Sequence, residues 1–143
     1  MPTPSTRAQL EKAYRATLYE FDTPAGGARL RIDEPSAAVA AVQAAFGVEH
    51  SGIITGWNPH SVPRPLVSND AANRRLLARL KAADFKAWPA RHIAIEHKWN
   101  EQGFFVPGIP LALLLELGRE FNQHAVVHID DHAVPRLAWC YER

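Results

Sequence analysis

Cysteine is nearly absent from the sequence: Cys140 is the one thiol among 143 residues. A single cysteine excludes an intramolecular disulfide framework and fits a reducing compartment, so we expect a cytoplasmic protein. Runs of about 18 or more apolar residues, which a membrane-spanning helix needs, are also absent. The polar amino terminus lacks the apolar core of a signal peptide. We therefore expect neither secretion nor a membrane span.

An excess of charge of one sign is missing as well. Sixteen Lys and Arg residues face fifteen Asp and Glu residues, which gives a formal net charge of +1. Binding to nucleic acid or anionic lipid that is driven by charge alone needs a larger basic excess. We expect no membrane partner and no such nucleic-acid partner, and any anion site must be local.

The residues that are present fit one globular domain. The hydrophobic fraction is 47% and the charged fraction is 22%, which is enough apolar material for a sizeable core. A chain of this length corresponds to one domain, since domains typically have about 100–200 residues. Two prolines and small polar residues predict a flexible leader over residues 1–7, followed by a single domain over residues 8–143.

Periodicity and turn residues predict four helices and seven strands. The predicted helices are residues 8–16, 37–46, 70–83 and 110–122, and Ser68 or Asn69 is expected to cap the third. The predicted strands are residues 17–22, 29–33, 51–57, 91–99, 103–109, 125–129 and 136–141. Turns are predicted at residues 24–27, 100–102 and 130–133.

The order of these elements predicts an α+β fold. From residue 51 onward it is strand, helix, strand, strand, helix, strand, with one extra strand, which is the split β-α-β order of ferredoxin-like folds. We expect a mainly antiparallel sheet with helices on one face, and an N-terminal hairpin and helix added at an edge.

Polar residues concentrate between the predicted strand 51–57 and the helix that follows it. If the loop folds back over the start of that helix, backbone N–H groups near residues 68–71, with Arg64 or Arg75, would bind a phosphate or carboxylate. The alternative is that these side chains only cap turns and satisfy loop backbone. The hydrogen-bonding residues of this segment are Asn58, His60, Ser61, Arg64, Asn69 and Asn73.

Several short runs resemble a bacterial family of unknown function, DUF3293. They are ITGWNPHS at residues 54–61, Asn73-Arg74, WNE at residues 99–101, FVPGI at residues 105–109 and FNQHA at residues 121–125. The resemblance implies a small bacterial protein and supplies no activity. It departs at Glu101-Gln102-Gly103, where Glu-Pro-Ser is typical of the family. The residues it singles out are Trp57, Asn58, Ser61, Asn73, Trp99, Glu101, Phe121 and Gln123.

Glu101 is the candidate for acid–base chemistry. Beside Trp99 and Phe104 its carboxylate would be partly desolvated and its pKa raised toward neutrality. The alternative is an exposed turn glutamate, which the usual solvation of turns favours. Gln123 would either orient a ligand through its amide or cap the end of the preceding helix.

A metal site is the weaker interpretation of the seven histidines. His124, His128, Asp130 and His132 share one face of an extended strand. Asp130-Asp131, however, is expected to begin a turn that breaks this alternation. We therefore predict surface histidines, with no metal and no cofactor.

The sheet and the leucine-rich helix suggest two other classes of partner. Phe104 and Phe105 resemble the aromatic strand of RNA-recognition domains, although packing in the core accounts for them better. A free sheet edge, or the leucines at residues 111–117, would suit a homodimer or another protein partner.

The leading hypothesis is therefore a small polar ligand, phosphorylated or nucleotide-like, bound between the loop–helix segment at residues 57–75 and the Glu101 hairpin. In this hypothesis Asn58, Ser61, Asn73 and Gln123 orient the ligand, and Arg64 or Arg75 neutralises its charge. Trp57 and Trp99 supply an apolar wall, and Glu101 is the general base. The alternatives are a sheet that binds single-stranded RNA or DNA, and a protein-interaction module.

Overall fold

A computed structural model describes residues 6–94 and 99–141 of the chain. The helices are α1 (Arg7–Arg15), α2 (Ala37–Phe46), α3 (Leu66–Ala82) and α4 (Leu111–Glu120), with a 3-10 turn at Pro59–Ser61. The strands are β1 (Thr17–Thr23), β2 (Gly26–Leu30), β3 (Ser51–Ile54), β4 (Trp88–Ala94), β5 (Trp99–Pro107), β6 (Ala125–Ile129) and β7 (Pro135–Trp139).

The strands form one antiparallel sheet, and the protein is α+β as predicted. The strand order is β2-β1-β4-β5-β3-β6-β7, and each pair of neighbours is antiparallel. The N-terminal hairpin extends the sheet at the β4 edge, in agreement with the prediction. No helix in the described ranges is long and apolar enough to cross a membrane.

Local capping residues determine where α1 begins and where α2 begins and ends. The Thr6 hydroxyl accepts a hydrogen bond from the backbone of Gln9, whose side chain bonds back to Thr6, so α1 starts inside the predicted leader. Residues 1–5 of that leader lie outside the described part. α2 has the predicted bounds, because Ser36 caps its start and Gly47 ends it at a φ of 69°.

The sheet is covered by helices on both faces. Alternate residues point to opposite sides: Ile53 packs in the cluster that includes Val39 and Val42 of α2, whereas Ile54 packs with Leu76 of α3 and Leu114 of α4. α3 and α4 thus share one face, and α2 packs on the opposite face. The expectation of helices on one face does not hold for the whole sheet.

Several predicted boundaries are wrong. β3 ends at residue 54 rather than 57, and β4 starts at residue 88 rather than 91. The start of α3, a predicted turn and the first hairpin also differ. α3 starts at residue 66 rather than 70, so Ser68 and Asn69 lie inside it and Pro65 is the N-cap residue. The predicted turn at residues 100–102 is part of β5, because Ala94 pairs with Trp99 and His92 with Glu101. The first hairpin turns at Pro24-Ala25 alone, because Gly26 and Gly27 pair with Thr23 and Asp22 in the sheet.

Gly118 in α4 is required by close packing against β6 and the chain after β7. A Cβ atom there would clash with the Cys140 sulfur and lie 3.0 Å from Cγ1 of Val126. Gly118→Ala should therefore lower the free energy of unfolding by about 1–3 kcal/mol through overpacking, although alanine normally stabilises a helix interior by about 1 kcal/mol. Urea unfolding measures the change.

The double variant Gly118→Ala/Cys140→Ala is the control for this prediction, because it removes the sulfur that the new methyl group would meet. It should be more stable than the sum of the two single effects. Stabilisation by Gly118→Ala alone would contradict the packing described here.

Candidate functional site

A cavity of about 60 Å³ lies between α1 and the face of the sheet that carries Ile53. Residues from α1 and from five strands line it, together with the loop that follows β3. Its wall is largely apolar and includes Leu10, Ala13, Tyr19, Ile53, Ala94, Ala125 and Val127. The polar lining residues are Tyr14, Thr17, Thr55, Asn58, Ser61, His92, Glu101 and Gln123.

Glu101 is the carboxylate of this cavity. It lies on β5 directly opposite His92 of β4, and their side chains are 18% and 12% exposed. The His92 Nδ1 atom lies 3.8 Å from the Glu101 Oε1 atom, beyond hydrogen-bonding distance. The prediction of an exposed turn glutamate is wrong, because strand pairing turns this side chain into the interior.

Asn58 holds the other oxygen of Glu101. Its Nδ2 atom donates a hydrogen bond of 2.9 Å to Glu101 Oε2, although 43 residues separate the two in the chain. Asn58 follows β3 in the left-handed conformation, at a φ of 48° and a ψ of 61°. Asparagine adopts this conformation more readily than most residues, so the residue type suits the turn that directs its amide toward Glu101.

Asn69 in α3 fixes Asn58. The Asn69 Oδ1 atom accepts from the Asn58 backbone N–H at 2.9 Å, and the Asn69 Nδ2 atom donates to Asn58 Oδ1 at 2.9 Å. The Arg64 backbone N–H also donates to Asn58 Oδ1, at 3.0 Å. Both asparagines are about 95% buried, so these bonds replace the water that the amides lose.

Asn73 and Gln123 join the loop to its neighbours. Asn73 accepts from the Gly56 N–H at 2.8 Å and donates to the Gln102 carbonyl at 2.9 Å, which links α3, the loop and β5. Gln123 donates to the carbonyls of Trp57 and Phe121 at 3.0 and 3.2 Å. Gln123 thus bonds to the end of α4 and also lines the cavity, whereas Asn73 is not among the lining residues.

Tyr14 of α1 also lines the cavity. Burial raises the pKa of its hydroxyl, and the negative charge of Glu101 raises this pKa further. Hydrogen bonds with the Ser61 side chain and the Ala125 backbone lower the pKa by less. Tyr14 therefore stays a neutral hydroxyl that can donate or accept a hydrogen bond.

The structure does not bring every predicted site residue to the cavity. Arg64 and Arg75 are exposed and are not among its lining residues, and neither is the half-buried Trp57. The side chain of Trp99 lies outside the described part. The N–H groups of Ser68 and Asn69 both donate to the Pro65 carbonyl at 3.0 Å, so they are not free to bind an anion.

Sequence reasoning missed Tyr14 and His92. Each is brought to the cavity by an element distant in sequence, α1 or β4. The register of β4 against β5 is the signal that would have placed His92 beside Glu101. Tyr14 has no comparable signal, because the position of α1 on the sheet depends on tertiary packing.

The histidines of the weaker metal hypothesis lie apart. His128 is next to His50, with ring centroids 5.7 Å apart, and His124 is next to His60 at 6.1 Å. Burial lowers the pKa of His128, and the nearby His50 lowers it further. Within residues 6–94 and 99–141 no three His, Cys, Asp or Glu residues form a group that could hold a metal ion.

The phenylalanines of β5, most of the apolar face of α4 and the Cys140 thiol pack in the interior. Phe105 is fully buried and stacks on Phe21 with ring centroids 3.8 Å apart, and Phe104 packs on the face of α3 and α4. Neither ring is free to stack on a base. Among the α4 leucines, Leu114 and Leu117 are buried and Leu111 is 40% exposed. Burial raises the pKa of the Cys140 thiol to about 11.

A family model matches part of the chain. The model of a family described as "Protein of unknown function (DUF3293)" matches residues 54–126, just over half of the chain. No curated protein and no solved structure matches the chain significantly. The matched segment contains Asn58, Glu101 and Gln123, and the α1 wall of the cavity lies outside it.

Loss of the Asn69 hydrogen bonds should lower the free energy of unfolding. Asn69→Ala leaves the buried N–H and Oδ1 of Asn58 without this partner, and an unsatisfied buried group costs about 1–3 kcal/mol. We expect the free energy of unfolding in urea to fall by that amount. The exposed neighbour Ser68 supplies the control, since Ser68→Ala should change it by no more than about 0.5 kcal/mol. Equal stability of the two variants would disprove a structural role for these bonds.

Proposed function

The chain belongs to the DUF3293 family of proteins of unknown function, and we propose that it binds a small polar molecule in the cavity between α1 and the sheet. The observation that carries this proposal is the hydrogen bonding of the two Glu101 carboxylate oxygens. Asn58 satisfies Oε2, whereas Oε1 receives no hydrogen bond from a described residue and faces His92 at 3.8 Å. Glu101 Oε1 is thus an acceptor that a donor group on a ligand can satisfy.

The backbone of the loop supports the same proposal. Asn58, His60 and Ser61 have positive φ values of 48°, 58° and 62°, although none of them is glycine. For residues that rarely adopt it this conformation costs about 1–3 kcal/mol, and such strain clusters at ligand sites. Two of the three, Asn58 and Ser61, line the cavity. Their place in the lining supports the binding proposal.

The size of the cavity limits the ligand. Pockets for drug-sized molecules have volumes of about 300–1,000 Å³, whereas this cavity has about 60 Å³. It suits a molecule of a few non-hydrogen atoms, or the end group of a longer one. In our proposal Glu101 is the main acceptor, Asn58 positions Glu101, and Ser61 and Gln123 orient the ligand.

The phosphorylated or nucleotide-like ligand is the less favoured version. Arg64 and Arg75, which would neutralise its charge, are exposed and outside the lining. An anion in the cavity would face the Glu101 carboxylate without a described Lys or Arg beside it. A bacterial origin and a cytoplasmic location remain expectations from the sequence.

We also propose a ferredoxin-like split β-α-β unit as the scaffold of the site. The central strands have the order β4-β5-β3-β6, and α3 and α4 connect β3 to β4 and β5 to β6. This order and the shared face of the two helices support the assignment. In this scaffold the cavity lies on the face opposite α3 and α4.

A thermal-shift screen tests the binding proposal. The panel contains small alcohols, amides, amines, amino acids, carboxylates, nucleotides and sugar phosphates. A ligand present at about 100 times its Kd adds about 2.7 kcal/mol, which raises the Tm of a domain of this size by roughly 5–10 °C. Glu101→Gln should reduce or abolish the shift for a ligand that donates to the carboxylate.

Glu49→Gln is the matched control, because it makes the same change at an exposed glutamate outside the cavity. Circular dichroism establishes that each variant is folded. Absence of a shift across the panel would overturn the proposal, and so would a shift that Glu101→Gln and Ser61→Ala both leave unchanged.

A further inference from the structure

Glu101 is the one acidic residue in the described lining of the cavity. Among its described lining residues Glu101 carries a carboxylate, and none is Lys or Arg. His92 is the one lining residue that could supply a positive charge, yet it does not hydrogen-bond to Glu101. Its Nδ1 atom lies 3.8 Å from Glu101 Oε1, and its Nε2 atom is buried without a described partner. The Glu101 carboxyl therefore has no Lys or Arg beside it in the described lining and receives no hydrogen bond from His92.

The lining also contains hydrogen-bond acceptors that no described donor satisfies. Glu101 Oε1 and Gln123 Oε1 receive no hydrogen bond from a described residue, while the Gln123 amide nitrogen is used by two carbonyls. The hydroxyls of Ser61 and Tyr14 lie in the same lining and accept as well as donate. The Asn58 amide donates one of its two N–H groups to Glu101.

If the cavity is a binding site, as proposed above, these observations indicate the class of its ligand. We infer that the cavity binds the primary ammonium group of a small organic amine. An ammonium group brings one positive charge and three N–H donors on a compact centre, which matches a carboxylate and neutral acceptors. The carbon attached to it would contact the apolar wall of Leu10, Ala13 and Ala125.

Other small polar groups fit the lining less well. An alcohol supplies one donor and no charge, so it leaves the carboxylate without a counter-charge. A carboxylate or phosphate would repel Glu101. A potassium ion brings the charge but gains nothing from the apolar wall, because its contacts are to oxygen atoms.

The experiment is isothermal titration and thermal shift of the full chain at pH 7 and constant ionic strength. The probes are methylammonium, ethylammonium and propylammonium chlorides, compared with KCl, ethanol, acetamide, sodium acetate and sodium phosphate. At least one amine is expected to bind at least ten times more tightly than ethanol, acetamide and KCl. Glu101→Gln should weaken that amine at least tenfold, and the surface control Glu49→Gln should leave its Kd unchanged.

A second variant keeps the test valid if Glu101→Gln fails to fold. Ala13→Leu adds three carbon atoms at the α1 wall of a cavity of about 60 Å³ and leaves its charge unchanged. It should abolish amine binding by filling the space. Amine binding that survives Ala13→Leu would place the amine elsewhere and overturn the inference.

The outcomes separate this inference from the proposed function. Ethanol or acetamide that binds as tightly as the amines, with dependence on Glu101, overturns the ammonium inference and leaves a polar-ligand site. Equal stabilisation by KCl and the amines also overturns it, since charge alone would then suffice. Tighter binding of acetate or phosphate than of the amines overturns the ammonium inference as well, and it restores the hypothesis of an anionic ligand. If no probe binds and the wider screen gives no thermal shift, both the ammonium inference and the proposed function are overturned.

Discussion

The hydrogen bonds between Asn58 and Asn69 are the constraint on which the site depends. After β3 the chain must leave the sheet and enter α3, and it does so through a left-handed residue that is almost completely buried. Asn69 satisfies both the backbone N–H and the side-chain oxygen of Asn58, so the amide nitrogen of Asn58 is left to bind Glu101. One buried pair of amides thus couples a helix, the loop after β3 and the neighbouring strand β5.

Elements with strong local signals could be predicted from the sequence, and α2 is the clearest example. Its cap residues, Ser36 and Gly47, are adjacent to the helix and act through local backbone geometry. The start of α3 could not be predicted in this way. Leu66 and Val67 are 61% and 74% exposed, so they carry no amphipathic pattern, and Asn69 resembles a cap while its side chain is used by Asn58.

The site could be predicted only in part. The polar loop after β3, Glu101 and Gln123 were identified from residue type, and the structure brings Asn58, Ser61, Glu101 and Gln123 to one cavity. Their environment could not be predicted. Asn100-Glu101-Gln102 has the polarity of a turn, yet pairing with β4 makes it strand and directs Glu101 inward. The position of α1, which contributes Tyr14, depends on long-range packing that no local signal encodes.

The way the cavity is assembled has a consequence for protein synthesis. Its lining begins at Leu10 and ends at Val127, and it includes residues of strands far apart in the chain. A nascent chain on the ribosome therefore has no complete site until β6 has emerged and paired with β3. A molecule that binds the cavity stabilises the finished fold alone and gives no help to the intermediates that precede it.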